Sequence, residues 1–130
     1  MKEDIYYDII RHKTASLIAS ACAAGAWSTS HDVGYVEKMR LFGEKTGMAF
    51  QIKDDLFDYT SESIGKPTGN DIKEKKLTLP IIYTLNKVDK NTKRKLIYIL
   101  KNDNKNSSKI KFVIDTVKNE GGITYAENKM

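Results

Sequence analysis

The feature that most constrains this chain is a helical spacing of apolar residues that recurs almost from end to end. In residues 3–28, Ile10, Leu17, Ala21 and Ala24 recur at this spacing, and no proline interrupts them. Nowhere does the sequence alternate apolar and polar residues as a half-buried strand would. The sequence therefore predicts an all-α fold.

A second long helix is expected to begin after Ser30 or Asp32, either of which can cap it, and to continue to about Tyr59. Gly43 and Gly47 lie one turn apart on its apolar side. Each costs roughly 1 kcal/mol relative to alanine inside a helix. We therefore expect another helix to approach closely where these two side chains are missing.

After this helix, residues 60–76 contain closely spaced glycine, proline, serine and asparagine residues and are predicted to form a loop. Helical spacing then returns in four segments, in residues 78–87, 93–100, 110–117 and 123–130. Gly121-Gly122 is expected to end the third of them. We expect one all-helical domain over residues 1–130, cut short at its C-terminus.

Composition and charge restrict the class of protein. The 130 residues are 40% hydrophobic and 30% charged, with a net charge of +5. The excess lysines, mostly in residues 87–118, are not interleaved with aromatic residues as a nucleic-acid-binding platform requires. The apolar stretch 15–27 is shorter than the roughly 20 residues of a membrane span. We expect a cytoplasmic protein that binds no nucleic acid, and positive charge suits a phosphorylated substrate.

The segment Gln51-Ile52-Lys53-Asp54-Asp55-Leu56-Phe57-Asp58 concentrates acidic residues on a helix that is otherwise apolar. Asp54 and Asp58 are one turn apart, Asp55 flanks them, and Gln51 lies one turn earlier. Carboxylates so close together repel unless a cation neutralises them, and hard oxygen ligands favour Mg²⁺, Mn²⁺ or Ca²⁺. We therefore expect these carboxylates to face a cavity that binds a metal.

Lysines supply the opposite charge. Lys13 lies among apolar residues of the first helix, where it either extends to solvent or reaches the cavity that Asp54 faces. The segment 65–80 adds Lys66 and Lys76 between glycines that permit unusual backbone angles. Metal ions and ammonium groups together are what a departing diphosphate needs.

The order of these motifs resembles that of the trans-isoprenyl diphosphate synthases, or polyprenyl synthetases, over residues 6–80. The four motifs are Lys-Thr, Gln-x-x-Asp-Asp-x-x-Asp, Gly-Lys-x-x-Gly-x-Asp and Lys-x-Thr-Leu-Pro. The resemblance implies an isoprenoid synthase-type helical bundle around a deep cavity, with only its C-terminal portion present here. It also implies Mg²⁺-dependent condensation of an allylic isoprenyl diphosphate with isopentenyl diphosphate, with Mn²⁺ as a substitute metal, and a homodimer in the complete protein.

The resemblance assigns roles to individual residues. The metal ligands it implies are Asp54, Asp55 and Asp58, with Asp54 as the direct Mg²⁺ ligand. The substrate-binding residues that it implies are Lys13, Lys66, Lys76 and Gln51. The three lysines hold the allylic diphosphate, and Gln51 is a polar residue of the same cavity. Thr14 matches a threonine near the reacting carbons, and together with the three lysines it completes the implied catalytic set.

The chain departs from the family pattern in two respects. Lys75 stands where the family often has glycine. The first aspartate-rich motif is absent, because Glu3, Asp4 and Asp8 do not form it. The residues that bind isopentenyl diphosphate and those that limit product length are missing as well. We therefore expect the 130 residues to be inactive by themselves.

Two other interpretations compete with this one. A class I terpene cyclase requires Asn-Asp-x-x-Ser/Thr-x-x-x-Glu, and the nearest candidate, Asn70-Asp71, has Glu74 and Thr78 at the required positions, so it fails. A non-catalytic helical partner subunit, or a fragment that binds diphosphate and Mg²⁺ or only associates with other helices, remains open.

Residues 61–76 are expected to be mobile without ligand and to close over a diphosphate, with no helix organising them.

Overall fold

The computed structural model describes residues 2–60 and 68–130, and within these residues it is helical with no strand, which confirms the all-α prediction. The α-helices are α1 (Glu3–Ile10), α2 (Ser16–Ser30), α3 (Val33–Thr60), α4 (Asn70–Lys73), α5 (Leu79–Lys87), α6 (Lys90–Asn102), α7 (Ser107–Asn119) and α8 (Gly122–Lys129). A π-helical turn, Arg11–Ala15, joins α1 to α2. None of the described helices is long and apolar enough to cross a bilayer.

Helix α3 packs backbone against backbone, at two of its glycines, on α2 and on the π-helical turn that precedes α2. A Cβ atom built on Gly47 would lie 2.7 Å from the Cα of Ala15, and one built on Gly43 would lie 2.8 Å from the carbonyl oxygen of Ile18 and 2.9 Å from the Cα of Ala19. Real Cβ atoms do not approach other heavy atoms so closely. The close approach expected at these glycines is thus confirmed.

The π-helical turn is a departure from the unbroken helix that the apolar spacing predicts. His12 Nδ1 donates to the carbonyl oxygen of Asp8 at 2.7 Å, and Ser16 Oγ donates to that of His12 at 2.8 Å. Side chains thus satisfy backbone carbonyls where the i to i+4 ladder is interrupted. Such turns are often found at functional sites, and this one carries Lys13 and Thr14.

Helix α3 is the central element because it packs against both apolar clusters of the fold. Its cap is one of the two predicted, since Asp32 Oδ1 accepts the N–H of Gly34 at 2.9 Å. One cluster joins α3 to α1, α5 and α8 and includes Tyr6, Ile10, Ile52, Leu56, Leu79, Ile82 and Ala126. The other joins α3 to α4, α5, α6 and α7 and includes Tyr59, Ile72, Ile81, Leu85, Leu96, Ile99, Leu100, Ile110, Val113, Ile114 and Val117.

The prediction that no helix organises residues 61–76 is wrong for its second half, where α4 forms. Its N-terminal N–H groups are capped from α3: Asp58 Oδ1 accepts the N–H of Asn70 at 2.8 Å, and Asp58 Oδ2 accepts that of Asp71 at 3.0 Å. The side chain of Ile72 is fully buried. A remote carboxylate and one apolar anchor therefore hold this short helix. Residues 61–67, with Lys66, lie outside the described residues.

The remaining helices begin and end where local signals place them. Pro80 occupies the first turn of α5, where its missing N–H costs nothing. Asp89 caps α6 by accepting the N–H groups of Asn91 and Thr92. The break at Gly121, whose backbone is left-handed, separates α7 from α8 as expected. Together α5 and α8 close the apolar cluster beneath α1.

We predict that Gly47→Ala destabilises the protein by about 2 kcal/mol, because the added methyl group collides with the Ala15 backbone. Gly25→Ala is the matched control, since nothing lies within 4 Å of a Cβ at that position inside α2. That substitution is expected to stabilise the protein by about 1 kcal/mol through helix propensity. Urea unfolding followed by circular dichroism measures both. Equal stabilisation by the two variants would show that the π-helical turn and α3 do not touch at Gly47.

Candidate functional site

A cavity of about 410 Å³ lies between three parts of the chain. They are α1 with the π-helical turn that follows it, α3, and residues 75–78, which lead into α5. The residues that line it are Tyr6, Ile9, Ile10, Lys13, Gln51, Asp55, Lys75, Lys76, Leu77 and Thr78. Four of the residues predicted from sequence, namely Lys13, Gln51, Asp55 and Lys76, therefore meet at one cavity. They come from three separate parts of the chain.

A chain of hydrogen bonds fixes the acidic side of this cavity. Tyr6 Oη donates to Asp55 Oδ2 at 2.7 Å, and Gln51 Nε2 donates to Asp55 Oδ1 at 3.0 Å. Thr14 Oγ1 in turn donates to Gln51 Oε1 at 2.7 Å. The chain links α1, α3 and the π-helical turn, and it leaves both carboxylate oxygens of Asp55 engaged. Thr14 is thereby tied to the same site as Gln51.

Burial raises the pKa of Asp55 above its ordinary value, although the hydrogen bonds from Tyr6 and Gln51 oppose the shift. Burial also raises the pKa of Tyr6, and the neighbouring Asp55 charge adds to that effect. The Tyr6 hydroxyl therefore stays protonated and remains a donor to the carboxylate. The hydrogen bonds from Tyr6 and Gln51 hold the Asp55 carboxyl group in place at the wall of the cavity.

Asp58 and Asp54 lie outside the set of residues that line the cavity. The Asp58 carboxylate accepts two backbone N–H groups of α4, and burial raises its pKa while those donors oppose the shift. Asp54 is exposed, and the described residues give it no hydrogen-bond partner. The structure therefore places Asp55 alone of the three at the cavity with Lys13, because neighbouring helix positions point about 100° apart.

The donor set fits a magnesium ion that arrives with a phosphorylated ligand. Across residues 2–60 and 68–130, no three His, Cys, Asp or Glu side chains gather as a protein-only metal cluster. Magnesium is commonly held by one or two carboxylates, several waters and substrate phosphates. Asp54, exposed on α3 next to Asp55, has the chemistry for such a ligand. Asp58 is engaged in capping α4 and is less available.

The two described lysines predicted to bind diphosphate differ in their surroundings. Lys76 pairs with Glu74, and this hydrogen-bonded ion pair raises the pKa of Lys76. Lys13, exposed on the π-helical turn, has no carboxylate within ion-pair distance among the described residues. Lys13 can therefore bind an anion in the cavity directly, whereas Lys76 must first release Glu74.

Lys75 stands in a backbone conformation that favours glycine. Its φ is +58°, its N–H donates to the carbonyl oxygen of Ile72 at 3.0 Å, and the N–H of Lys76 donates to that of Asp71 at 2.8 Å. This pattern is a Schellman motif that ends α4. A residue with a side chain pays roughly 1–2 kcal/mol for the left-handed conformation. The geometry explains why glycine suits this position.

Sequence reasoning missed the contributions of Tyr6 and Thr78. Tyr6 lies seven residues before Lys13, on the same side of the helix, and this spacing was the available signal. Thr78 is buried, and its hydroxyl lies 3.2 Å from that of Tyr59, which joins the start of α5 to α3. No local pattern marks the second contact, because it joins residues 19 positions apart.

Asp71 adds a titrating group near these carboxylates. Burial raises its pKa to about 6, and the charges of Asp58 and Asp55 contribute. Its pKa in the folded protein thus exceeds its unfolded value of 3.8. The stabilisation that comes from its protonation is complete below about pH 4, and it is lost as the pH rises through 6.

We predict that Asp71→Asn stabilises the protein at pH 7.5 by about 1 kcal/mol, because asparagine removes a repelling charge; the half-exposed side chain is partly screened. At pH 4 the wild-type carboxyl is itself largely protonated in the fold, so the difference is expected to vanish. Urea unfolding at both pH values measures it. Asp115→Asn on the exposed side of α7 is the control, and an Asp71→Asn effect that is the same at both pH values would contradict the assignment.

Comparison with known proteins places this geometry in context. The short chain isoprenyl diphosphate synthase of Methanocaldococcus jannaschii is 34% identical to this chain over 115 residues. The match covers 87% of this chain and 35% of that protein. The heptaprenyl diphosphate synthase component 2 of Geobacillus stearothermophilus is 43% identical over 82 residues, or 62% of this chain and 26% of that protein. The chain spans about a third of the length of the curated relatives it matches.

Solved structures agree. The geranylgeranyl pyrophosphate synthase of Bacteroides thetaiotaomicron superposes with a TM-score of 0.83 at 40% identity, over 96% of this chain and 40% of that one. The polyprenyl synthase of Caulobacter crescentus, complexed with calcium and isoprenyl diphosphate, gives a TM-score of 0.88 at 29% identity, over 97% of this chain and 39% of that one. The family model described as Polyprenyl synthetase matches residues 1–117. The chain belongs to the polyprenyl synthetase family.

Proposed function

We propose that this chain is the C-terminal part of a magnesium-dependent isoprenyl diphosphate synthase, with Mn²⁺ as an alternative metal, and that its cavity binds the diphosphate of the allylic substrate. The observation that carries the proposal is the meeting of Lys13 and Lys76 with Gln51 and Asp55 at one cavity, beside the exposed Asp54. Relatives named isoprenyl diphosphate synthases support it.

The proposed reaction joins an allylic diphosphate to isopentenyl diphosphate. The C–O bond of the allylic diphosphate breaks, and its electron pair leaves with the diphosphate. The double bond of isopentenyl diphosphate attacks the resulting allylic cation and forms the new C–C bond. A proton lost from the adjacent carbon restores a double bond, and the released diphosphate can accept that proton. Each turnover thus yields a longer allylic diphosphate and one diphosphate.

The protein residues act on the charge that develops on the leaving group. Lys13 and Lys76 lie at the cavity and stabilise the departing diphosphate electrostatically. When bound, Mg²⁺ would neutralise phosphate charge as a Lewis acid, with Asp54 as its protein ligand and Asp55 and Asp58 in support. Lys66, the third lysine of the proposal, lies outside the described residues.

The carbonyl and hydroxyl groups beside the lysines orient the substrate. Thr14 and Gln51 are hydrogen-bonded to each other, so the Gln51 amide keeps its Nε2 group directed to Asp55 and its Oε1 atom directed to Thr14. A polar wall fixed in this way costs no reorganisation when charge develops next to it. We propose that Gln51, which lines the cavity, and Thr14, which holds the Gln51 amide, border the part of the cavity where the allylic carbons lie.

The 130 residues lack the first aspartate-rich motif of the family pattern, so we propose that they do not complete the condensation by themselves. The exposed apolar side chains on α2 and α3 are consistent with coverage by further protein, as a homodimer of the complete synthase would provide. They are Leu17, Trp27, Val33, Tyr35, Leu41, Phe42 and Phe50. We also propose a cytoplasmic location, although three relatives are named chloroplastic solanesyl diphosphate synthases.

We predict that Asp54→Asn weakens pyrophosphate binding when magnesium is present but not when it is absent. With Mg²⁺ present, binding is expected to weaken about tenfold or more, because the carboxylate that links the metal to the protein is lost. With EDTA instead, binding is expected to equal or exceed that of the wild type, because a negative charge near the anion has been removed. Isothermal titration calorimetry of the chain with inorganic pyrophosphate measures both conditions.

Asp115→Asn on α7 is the charge-matched control and is expected to leave binding unchanged within about twofold under both conditions. Tighter binding by Asp54→Asn even with Mg²⁺ would show that Asp54 merely repels the anion. A wild-type chain that binds no pyrophosphate would favour the alternative of a helical partner that only associates with other helices. Condensation product from the chain alone would contradict the proposal that it is catalytically incomplete.

A further inference from the structure

We propose that Lys75 supplies an additional positive charge to the diphosphate cavity and increases its preference for a diphosphate over a monophosphate. The inference rests on the proposed function, and it concerns a residue that this chain places at a position suited to glycine. Three observations carry it: the backbone conformation of Lys75, its position at the cavity and the charges that surround it.

The conformation comes first. Lys75 adopts a φ of +58° at the end of α4, and the only other described non-glycine residue with a positive φ is His31, at the end of α2. A side chain in this conformation destabilises the fold relative to glycine. The lysine side chain therefore does not serve the folding of this turn. Strain of this kind is commonly found where a residue has a role in binding.

The position comes second. Lys75 lines the cavity that holds Lys13 and Asp55, and it also lines a neighbouring apolar cleft of about 370 Å³ beside α6. Leu77 is the other residue shared by the two. Lys75 thus stands at the boundary between them, and an exposed, flexible lysine there reaches an anion at the mouth of the cavity.

The charges come third. Among the residues that line the cavity, Lys13, Lys75 and Lys76 oppose a single carboxylate, that of Asp55. Lys76 is already paired with Glu74, whereas no described carboxylate lies within ion-pair distance of Lys75. The ammonium group of Lys75 is therefore available to an incoming anion. Because its attraction grows with the charge of the anion, pyrophosphate gains more from it than phosphate does.

The experiment measures binding of inorganic pyrophosphate and of inorganic phosphate, each with Mg²⁺, by isothermal titration calorimetry. Lys75→Gly and Lys75→Asn both remove the charge, and both residues tolerate the left-handed backbone. Each variant is expected to bind pyrophosphate about fivefold or more weakly and to lose less affinity for phosphate. Lys75→Arg keeps the charge and is expected to stay within about twofold of the wild type. The melting temperature of Lys75→Gly is expected to rise, which separates binding from folding.

Lys93→Ala is the control, because Lys93 lines the apolar cleft but not the cavity and its removal lowers the net charge equally. It is expected to leave pyrophosphate binding within about twofold of the wild type. The inference is overturned if the glycine and asparagine variants bind as the wild type does, or if Lys93→Ala weakens binding as much. If the wild type binds no pyrophosphate, the proposed function fails with it; wild-type binding with unaltered Lys75 variants overturns this inference alone.

Discussion

The site depends on the contact that two glycines of α3 make with the backbones of α2 and of the π-helical turn. Because Gly47 lies against Ala15, the two antiparallel helices are fixed in register, and Thr14 comes to face Gln51. Two turns of α3 beyond Gly47, Asp55 accepts the hydrogen bond of Tyr6. A side chain at the glycine would separate the helices and lengthen both hydrogen bonds. The close packing at Gly47 therefore fixes the geometry of this wall of the cavity.

Charge explains why the carboxylates of α3 divide their roles. Burial raises the pKa values of Asp55, Asp58 and Asp71, so these acids destabilise the unliganded protein at neutral pH. Hydrogen bonds offset part of this cost, from Tyr6 to Asp55 and from the α4 backbone to Asp58. Asp54 remains exposed and is the carboxylate most open to a cation. Asp55 and Asp58 are thus held by hydrogen bonds within the fold, whereas Asp54 is open to a metal ion and phosphate.

Much of this could be predicted from the sequence, because the signals involved are local. Helical spacing gave the all-α fold, the i to i+4 glycines indicated the close helix pair, and the ordered motifs indicated the family. The π-helical turn was not predictable, because one inserted residue barely alters an apolar pattern and the hydrogen bonds of His12 and Ser16 at the turn leave no mark in that pattern. Helix α4 was missed because its cap, Asp58, lies 12 residues earlier in the chain.

We propose that the cavity joining the π-helical turn to the segment after α4 binds a magnesium–diphosphate complex. Hydrogen–deuterium exchange of the chain, with and without Mg²⁺ and inorganic pyrophosphate, tests it directly. We predict slower exchange in residues 11–15 and 70–78 when both are added, while Lys90–Asn102, which does not line the cavity, exchanges at an unchanged rate. Unchanged exchange at residues 11–15 and 70–78, or equal slowing in Lys90–Asn102, would contradict the claim.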